Sequence, residues 1–405
     1  GEYKLQGSKN AALVLISSSL LSRSLLHLHN VPKIADVECL LQLLGALGVE
    51  TSWNNNTLSV DSRNLKKSEL PAELMEKLRG SVLLLGSLAP LFEEITCAFP
   101  GGCPIGRRSF DVHWEVFRSG GFTVSEGRQE IKIQKTHTPN EPRVYLEESS
   151  VTATENALIL FSALGKGIVE NPAREPHVLN LIDFLRQLGC GIELHPLYYR
   201  VYRGVSPSQS EIEYEVPGDY IDAGTVAIAA AVTHGEITMH GIAEAEFAPI
   251  QNVLRRFGLT FEQHDLNFHV RVENMINPSK ITAGLWPSFP TDLVSLAIVL
   301  ATQGNGLCLI QDWMYEGRMF FVDKLVRMGA HITMCDPHRV LVEGPTQLRG
   351  TQLESPDIRA GMALVVAGLC ADETTTIEHA EVIQRGYENV ARRLSSIGAQ
   401  ISEQD

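Results

Sequence analysis

Long apolar runs, paired cysteines and metal-binding motifs are all missing from this sequence of 405 residues. No stretch reaches the roughly 18 apolar residues that a membrane-spanning helix needs, so we expect no membrane segment. The seven cysteines are odd in number and widely scattered, which favours reduced thiols in the cytoplasm over a disulfide framework. Neither a CxxC pair nor an HExxH motif occurs, so we expect neither a structural nor a catalytic metal. The first residues show no secretory signal pattern.

An excess of basic residues is missing as well. The chain has 48 Asp and Glu against 34 Lys and Arg, which gives a net charge of −14. Nucleic acid requires a basic face, so this balance argues against a nucleic-acid partner. It still permits a small anionic ligand if a few cations are focused in one cleft. The length exceeds that of one ordinary core, so two domains are expected.

What the sequence does contain is a repeated signature, in which an apolar stretch ends in Leu-x-x-x-Gly or Phe-x-x-x-Gly. The six glycines are separated by 73, 68, 69, 71 and 69 residues. A period this regular indicates one supersecondary unit used six times, and six units divide naturally into two domains of three. The copies of the signature occupy residues 44–48, 117–121, 185–189, 254–258, 325–329 and 394–398.

Each repeat contains two predicted helices and short strands. The helix that ends at the signature glycine is amphipathic, and its glycine occupies the terminating position where positive φ is easy. Short strands rich in Val and Ile follow it, as at residues 192–194, 332–334 and 339–342. The other helix is apolar on all sides, which predicts that it is buried at the centre of its domain. The six buried helices are predicted over residues 10–21, 79–92, 152–164, 221–233, 292–302 and 358–371.

Polar residues gather at the N-terminal ends of these buried helices. Capping of free N–H groups is the alternative explanation for each Asn, Ser, Thr or Asp there. It does not explain Lys9, Arg79 and Arg359, because a cation opposes the dipole at a helix N-terminus. An anion bound between the cation and the helix end would account for them. Two facing domains would direct six such ends into one cleft, which predicts a phosphate-handling site.

The loop at residues 99–108 carries the most distinctive chemistry. Its three glycines and two prolines predict an exposed loop that can change shape. Cys103 precedes two arginines in this loop, a setting that suits a nucleophile or proton donor. Asp292 follows Pro287 and Pro290, whose rigidity suits a general base, whereas His113 is expected to be structural. Inert thiols are expected at Cys97, Cys190, Cys308 and Cys370.

Six segments together resemble the enolpyruvyl transferases. They are residues 7–13, 100–106, 173–176, 289–292, 357–360 and 385–388. The resemblance spans the chain from Gly1 to its end, and the cysteine loop separates it from the shikimate-pathway branch. It implies an α/β (α+β) fold, an inside-out barrel of six βαβαββ-type repeats with three repeats per domain and the active site in the interdomain cleft. The implied domains are residues 10–217, with the Cys103 loop, and residues 1–9 plus 218–405, with Asp292, Arg359 and Arg385.

The resemblance also implies an activity. The enolpyruvyl group of phosphoenolpyruvate would pass to the 3-hydroxyl of UDP-N-acetylglucosamine with release of phosphate, the first committed step of peptidoglycan synthesis. No cofactor or metal, no nucleic acid and no membrane would take part, and the oligomeric state is left open. Asp292 would accept the hydroxyl proton, and Cys103 would protonate the methylene carbon or trap the enolpyruvyl group, which makes it the site that fosfomycin alkylates.

Binding roles follow from the same resemblance. The catalytic set is Lys9, Cys103 and Asp292. Phosphoenolpyruvate would be held by Lys9, Asn10, Arg108, Arg318, Arg359 and Arg385. The nucleotide sugar would contact Arg79, Arg108, Ser109, Phe110, Asp111, Val112, Glu148, Ser149, Ser150, Val151, Asp292 and Met314.

Several residues depart from the family pattern, and most of them surround the acceptor. The stretch at residues 108–112, with Ser109 and Phe110, replaces a proline and a smaller aliphatic residue that normally line the uracil slot. Glu148 stands where some relatives carry Lys beside the diphosphate. The other departures are Thr152 for glycine, Tyr220 for arginine and Gln384 for aspartate. Two alternatives therefore stay open. In the first, the acceptor would be another uridine nucleotide such as UMP. In the second, the protein would be a catalytically inactive binding paralogue.

Overall fold

The computed structural model describes residues 1–66, 68–102, 106, 109–206 and 211–404. The chain divides into two compact units, each with its own hydrophobic core. The described residues of the N-terminal unit are 7–66, 68–102, 109–206 and 211–216, and those of the C-terminal unit are 1–6, 106 and 217–404. Within the described residues, no helix is both long and apolar enough to cross a membrane.

The helices and strands follow one another in short alternation along the chain. The strands are β1 (Glu2–Lys4), β2 (Leu25–His29), β3 (Glu50–Asn54), β4 (Thr57–Asp61), β5 (Glu94–Ala98), β6 (Phe122–Glu126), β7 (Glu130–Lys135), β8 (Arg143–Tyr145), β9 (Gly167–Glu170), β10 (Gly191–Leu194), β11 (Tyr198–Arg203), β12 (Glu211–Glu215), β13 (Ile237–His240), β14 (Leu259–His264), β15 (Asn267–Val272), β16 (Lys280–Ala283), β17 (Gly306–Asp312), β18 (His331–Asp336), β19 (Arg339–Gly344), β20 (Gln352–Glu354) and β21 (Thr376–Glu378). The helices are α1 (Lys9–Ser18), α2 (Ala35–Ala46), α3 (Ala72–Met75), α4 (Val82–Leu88), α5 (Asp111–Ser119), α6 (Val151–Leu164), α7 (Pro176–Gln187), α8 (Tyr220–Val232), α9 (Glu244–Arg255), α10 (Val294–Gln303), α11 (Val322–Arg327), α12 (Ile358–Leu369) and α13 (Val390–Ser395). Short 3-10 turns cover Ser19–Leu21, Arg79–Ser81, Thr291–Leu293 and Ala380–Arg385.

Small mixed sheets form the β-structure of the N-terminal unit. Its described residues make three sheets, ordered β12-β2-β4-β3, β5-β7-β6 and β10-β11-β9-β8. The pairs β12–β2 and β8–β9 are parallel, and the remaining pairs are antiparallel. Each four-stranded sheet thus adds one parallel edge strand to an antiparallel group of three.

The C-terminal unit repeats this arrangement. The part of it that the structure describes holds the sheets β1-β13-β15-β14, β16-β17-β19-β18 and β20-β21. Here the parallel edge strands are β1 and β16, and the short pair β20–β21 is also parallel. Because β1 pairs with β13, the first residues of the chain belong to this unit rather than to the one that follows them in sequence.

The predicted buried helices are confirmed. In the C-terminal unit α8, α10 and α12 all contact one another, and in the N-terminal unit α4 contacts both α1 and α6. Nearly every residue of these six helices is buried. The predicted starts at Arg79 and Asp292 differ in detail, because a 3-10 turn precedes the α-helix at both places.

The signature glycines end their helices as predicted. All six have φ between +89° and +103°, in the left-handed region that a side chain rarely adopts. At Gly258 a Cβ atom would also lie 2.0 Å from the carbonyl oxygen of Asn274, so the segment that follows β15 approaches too closely for any other residue. The period in the sequence therefore marks the positions at which each amphipathic helix ends and the chain changes direction.

Candidate functional site

The C-terminal unit holds a cluster of one carboxylate and two guanidinium groups, formed by Asp292, Arg318 and Arg359 and called here the Asp292 cluster. Asp292 Oδ1 lies 3.1 Å from Arg318 Nη2, and Asp292 Oδ2 lies 2.8 Å from Arg359 Nη2. Arg359 Nε also donates to Asp292 Oδ2 at 3.0 Å. Asp292 therefore does not cap the helix that it precedes, since its side chain is held by two cations instead.

The two arginines are buried, whereas the carboxylate between them reaches solvent. The side chains of Arg318 and Arg359 are 2% and 6% exposed, and that of Asp292 is 28% exposed. Among the described residues, neither Arg318 Nε nor Arg359 Nη1 has a hydrogen-bond partner. A buried N–H without a partner costs free energy, so the Arg359 Nη1 donor suits an anion that would bind beside Asp292.

A second carboxylate lies behind Arg318. Asp312 is fully buried at the end of β17, and its Oδ2 lies 3.9 Å from Arg318 Nε. It accepts hydrogen bonds from the Thr291 hydroxyl and, at 2.9 Å, from the backbone N–H of Met314. Asp312 thus ties the turn that carries Asp292 to the segment that leads to Arg318. Met314, a predicted contact of the nucleotide sugar, is half-buried in this segment.

Arg359 also contacts the segment that follows Arg385. Its guanidinium carbon lies 5.3 Å from the ring centroid of Tyr387, whose hydroxyl is 3.0 Å from Thr225 Oγ1. Burial works to lower the pKa of Arg359, but the Asp292 carboxylate, together with smaller contributions from Tyr387 and Asp219, raises this pKa above its ordinary value. Burial likewise raises the pKa of Tyr387. Arg385 ends the 3-10 turn two residues before Tyr387 and is half-buried.

In the N-terminal unit, Lys9 begins helix α1 and forms an ion pair. Its Nζ lies 2.6 Å from Oδ2 of Asp36, a buried residue in the first turn of α2. The cap of α1 is Ser8, which accepts from the backbone N–H of Ala11, so Asn10 does not cap the helix. The charge of Lys9 at the helix N-terminus is thus balanced by a carboxylate from the next helix.

Arg79, Phe110 and Trp114 form a second group in this unit, called here the Arg79 stack. The guanidinium carbon of Arg79 lies 4.0 Å from the Phe110 ring centroid, and Phe110 stacks on Trp114 at 5.5 Å. Arg79 Nη2 also donates to the Ser109 carbonyl at 3.2 Å. The exposed Ser109 hydroxyl bonds Asp111 Oδ2 at 2.5 Å at the start of α5. This arrangement unites four predicted acceptor residues, which are Arg79, Ser109, Phe110 and Asp111.

A neutral histidine joins helices α5 and α6 beneath this stack. His113 Nδ1 accepts from Asn156 Nδ2 at 3.0 Å, so its Nε2 carries the proton and donates to Thr152 Oγ1 at 3.0 Å. The orientation of Asn156 is fixed because its Oδ1 accepts from the N–H of Gly86 at 3.1 Å. Burial, with a smaller effect from the charge of Arg79, lowers the pKa of His113 from 6.5 to about 3. His113 is structural, as expected.

The N-terminus of α6 carries the other predicted acceptor residues. Ser150 is the cap and accepts from the backbone N–H of Ala153 at 3.4 Å. Glu148 is exposed two residues earlier, and its carbonyl accepts from the Ser150 N–H at 2.6 Å. Ser149 and Val151 are half-buried. Capping is likewise confirmed at Asp219 and Asp357, whose carboxylates accept N–H groups of α8 and α12.

Some predicted residues are not brought together by described contacts. Cys103 and Arg108 lie outside the described residues, and no described contact joins Val112 to the Arg79 stack. Asp36 and Asp312 were missed, because nothing in their sequence surroundings marks them as partners of Lys9 and Arg318. The expectation of inert thiols agrees with burial, which raises the pKa of Cys97, Cys308 and Cys370 to about 12 and also raises that of Cys190. The described residues contain no group of three or more side chains suited to a metal ion.

A family model confirms the resemblance seen in the motifs. The model described as EPSP synthase (3-phosphoshikimate 1-carboxyvinyltransferase) matches residues 1–394. The chain therefore belongs to this family of enolpyruvyl transferases, which are enzymes.

Within the family, the chain is similar to relatives that share one name. The chain is 38% identical to the UDP-N-acetylglucosamine 1-carboxyvinyltransferase of Bradyrhizobium diazoefficiens, with 99% of this chain and 95% of the relative covered. It is 36% identical to the enzyme of the same name from Borreliella burgdorferi, with 100% and 96% covered.

Solved structures show the same fold. The enolpyruvyl transferase NikO from Streptomyces tendae has a TM-score of 0.89 at 20% identity and covers 99% of this chain and 95% of its own. The EPSP synthase from Acinetobacter baumannii has a TM-score of 0.75 at 17% identity, with 99% and 96% covered. At these identities the likeness concerns the fold alone, an α/β fold with mixed sheets, as expected from the sequence.

Proposed function

We propose that this protein transfers the enolpyruvyl group of phosphoenolpyruvate to the 3-hydroxyl of UDP-N-acetylglucosamine and releases phosphate, the first committed step of peptidoglycan synthesis. The names of the relatives at 36–38% identity over nearly the whole chain support the acceptor. The scattered thiols fit an enzyme of the cytoplasm. The oligomeric state stays open.

The Asp292 cluster is the observation that carries the proposal. Arg318 and Arg359 are buried, charged and only partly satisfied by Asp292, so they suit the carboxylate of phosphoenolpyruvate. Asp292 lies between these two cations and is partly exposed, so its carboxylate can accept a proton from a hydroxyl that approaches from solvent. One cluster thus provides both the binding groups for the substrate carboxylate and the general base.

The reaction is then an addition followed by an elimination. Asp292 takes the proton of the 3-hydroxyl, whose oxygen forms a bond with C2 of phosphoenolpyruvate, while Cys103 gives a proton to C3. In the elimination C3 returns a proton, the double bond forms again and the C2–O bond to phosphate breaks. Lys9, Arg108 and Arg385 would hold the phosphate and neutralise the charge that it gains on leaving, and Asn10 would contact both substrates. No step requires a metal or an organic cofactor.

The proposal requires residues of both units to meet around the substrates. The inside-out barrel of six repeats, with three repeats per domain and the active site in the interdomain cleft, would provide this meeting. Three small sheets among the described residues of each unit support that arrangement. In this arrangement, the domain of residues 10–217 would supply Asn10 and the Cys103 loop. The domain of residues 1–9 plus 218–405 would supply Asp292, Arg359 and Arg385.

Phosphate release tests the proposal directly. The purified protein is incubated with phosphoenolpyruvate, with and without UDP-N-acetylglucosamine, and inorganic phosphate is measured. We expect release that depends strictly on the nucleotide sugar, together with an enolpyruvyl ether at its 3-position. Folded protein that binds the nucleotide sugar but releases no phosphate would instead favour an inactive binding paralogue.

A second candidate acceptor is a uridine nucleotide with less negative charge, such as UMP. The observation that favours it is the exposed Glu148 carboxylate beside Ser150, at a position predicted to face the nucleotide sugar. Arg79 moreover lies on Phe110, where its charge already contacts a ring. Phosphate release with UMP but not with UDP-N-acetylglucosamine would select this candidate.

A further inference from the structure

Gln6 joins the first residues of the chain to the segment that follows Arg385. Its side chain is buried, with the whole residue 5% exposed. Gln6 Nε2 donates to the carbonyl oxygen of Gly386 at 2.9 Å, and Gln6 Oε1 accepts from the backbone N–H of Glu388 at 2.9 Å. These two backbone groups flank Tyr387, so one amide side chain pairs with both sides of that residue, much as a neighbouring β-strand would.

Gln6 is itself fixed on every polar atom. Its backbone N–H donates to Asp222 Oδ2 at 3.1 Å, and its carbonyl accepts from the N–H of Asp219 at 2.8 Å. Arg393 Nη1 donates to Gln6 Oε1 at 2.9 Å, while Arg393 Nη2 donates to Asp222 Oδ2 at 3.0 Å. A buried polar network with all its members satisfied is rigid, because each lost bond leaves an unpaired group.

The segment that Gln6 holds reaches the Asp292 cluster. Tyr387 places its ring 5.3 Å from the guanidinium carbon of Arg359, and Arg359 pairs with Asp292. Arg385 precedes Tyr387 by two residues. A shift of the backbone at Gly386 would therefore displace two arginines together.

We infer that Gln6 is a positioning residue, which sets the backbone at Gly386 and Glu388 and thereby aims Arg385 and Arg359 at phosphoenolpyruvate. This inference rests on the proposed function. It concerns the donor substrate first, because the contacts of Gln6 lead to Arg385 and Arg359 and none of them involves the Arg79 stack. A purely structural role for Gln6 would instead lower the stability of the protein without distinguishing between the two substrates.

The test compares three variants by steady-state kinetics of phosphate release. Gln6→Met keeps the length of the side chain but removes its hydrogen bonds. We expect kcat/KM for phosphoenolpyruvate to fall about tenfold to hundredfold, while KM for the acceptor changes less than about threefold, since a small misplacement of binding groups has effects of this size. Gln6→Glu keeps the acceptor for Glu388 and Arg393 but loses the donor to Gly386, so we expect a smaller defect.

A matched control and the contrary outcomes complete the design. Gln251→Met replaces another buried glutamine of the same unit, in α9, and should leave both substrates unaffected. Folded Gln6→Met with unchanged kinetics, or with equal losses for both substrates, overturns the inference. If Gln6→Met does not fold, Gln6→Glu decides in the same way. Wild-type protein without turnover overturns the proposed function as well, whereas active wild type with unaffected Gln6 variants overturns only the inference.

Discussion

The Asp292 cluster and the Arg79 stack hold their arginines in different ways. Arg318 and Arg359 are buried against a carboxylate, with fixed directions for their remaining N–H groups. Arg79 is half-buried, lies on the Phe110 ring and donates to a backbone carbonyl. The Lys9–Asp36 pair in the N-terminal unit follows the first pattern, since both side chains are buried.

The difference indicates how tightly each substrate is specified. The guanidinium groups of a buried ion pair cannot move without leaving a buried charge unpaired. Their N–H groups therefore stay in fixed positions, which suit one small anion of matching shape. A guanidinium on an aromatic ring keeps its charge while its position adapts, and cation–π contacts contribute only about 0.5–1 kcal/mol at exposed sites. If the proposed function is correct, the Asp292 cluster is a rigid half of the site that binds enolpyruvate, and the Arg79 stack with Glu148 is an adjustable half that binds the acceptor. Most of the departures from the family pattern are predicted to lie in the adjustable half.

The largest effect is expected at the carboxylate of the rigid half. Asp292→Asn keeps the size of the side chain but removes the base, so turnover should fall by about 10²–10⁴-fold, the usual range for general-base catalysis. Phosphate release measures the loss, and circular dichroism checks that the variant is folded. Asp323→Asn, at an exposed aspartate of the same unit, is the control. Turnover near the wild-type value would remove Asp292 from the mechanism.

A smaller effect is expected where the charge stays and only its geometry changes. Arg359→Lys retains a cation but cannot make both the Nε and Nη2 contacts to Asp292. A hydrogen bond to a charged group contributes about 1.5–3 kcal/mol, so kcat/KM for phosphoenolpyruvate should fall roughly tenfold to hundredfold. Arg327→Lys serves as an exposed control. If Arg359→Lys affects the acceptor more than phosphoenolpyruvate, the division into two halves is wrong.

Local patterns in the sequence predicted much of the fold. Gly189 ends its helix with positive φ because that need is local, and helix α6 is buried because an apolar helix has no polar face to expose. The caps Ser150 and Asp357 follow from the same local logic. Asp292 was predicted as a site residue from its rigid approach and the resemblance, not from its partners.

The partners themselves could not be predicted, because they come from distant parts of the chain. Asp36 reaches Lys9 across 27 positions, and Gln6 reaches Glu388 across 382. Nothing in the sequence around Gln6 distinguishes it from a surface glutamine. Periodicity reports which face of an element is buried, but it does not report which buried polar groups satisfy one another.

A pH dependence is expected beneath the Arg79 stack, where the buried group is a neutral imidazole. In the unfolded protein His113 takes up a proton near pH 6.5. In the folded protein burial lowers its pKa to about 3, so protonation requires a much lower pH. Between these values the unfolded state binds more protons, so the free energy of unfolding falls as the pH drops below about 6.5 and this loss ends near pH 3. The contribution of His113 should be about 1.4 kcal/mol for each pH unit.

Thermal unfolding of the wild type and of His113→Gln at pH 7 and pH 5 measures this contribution. Glutamine can accept from Asn156 and donate to Thr152, but it does not titrate. The wild type should therefore lose more stability on acidification than the variant does. Parallel losses in the two proteins would contradict the assignment of His113 as a buried neutral imidazole.

The smallest effect is expected at the edge of the adjustable half, and it distinguishes the two acceptors. Glu148→Lys replaces an exposed carboxylate by a cation, and an exposed ion pair contributes only about 0.2–1 kcal/mol, or up to about fivefold in KM. If the acceptor carries a diphosphate beside residue 148, KM for UDP-N-acetylglucosamine should fall. Glu147→Lys places the same charge one residue away, at another exposed position, and should have less effect. An equal gain from both variants would mean that only the net charge of the surface matters. A gain for UMP that exceeds the gain for the nucleotide sugar would favour the second candidate, because residue 148 would then lie beside a single phosphate.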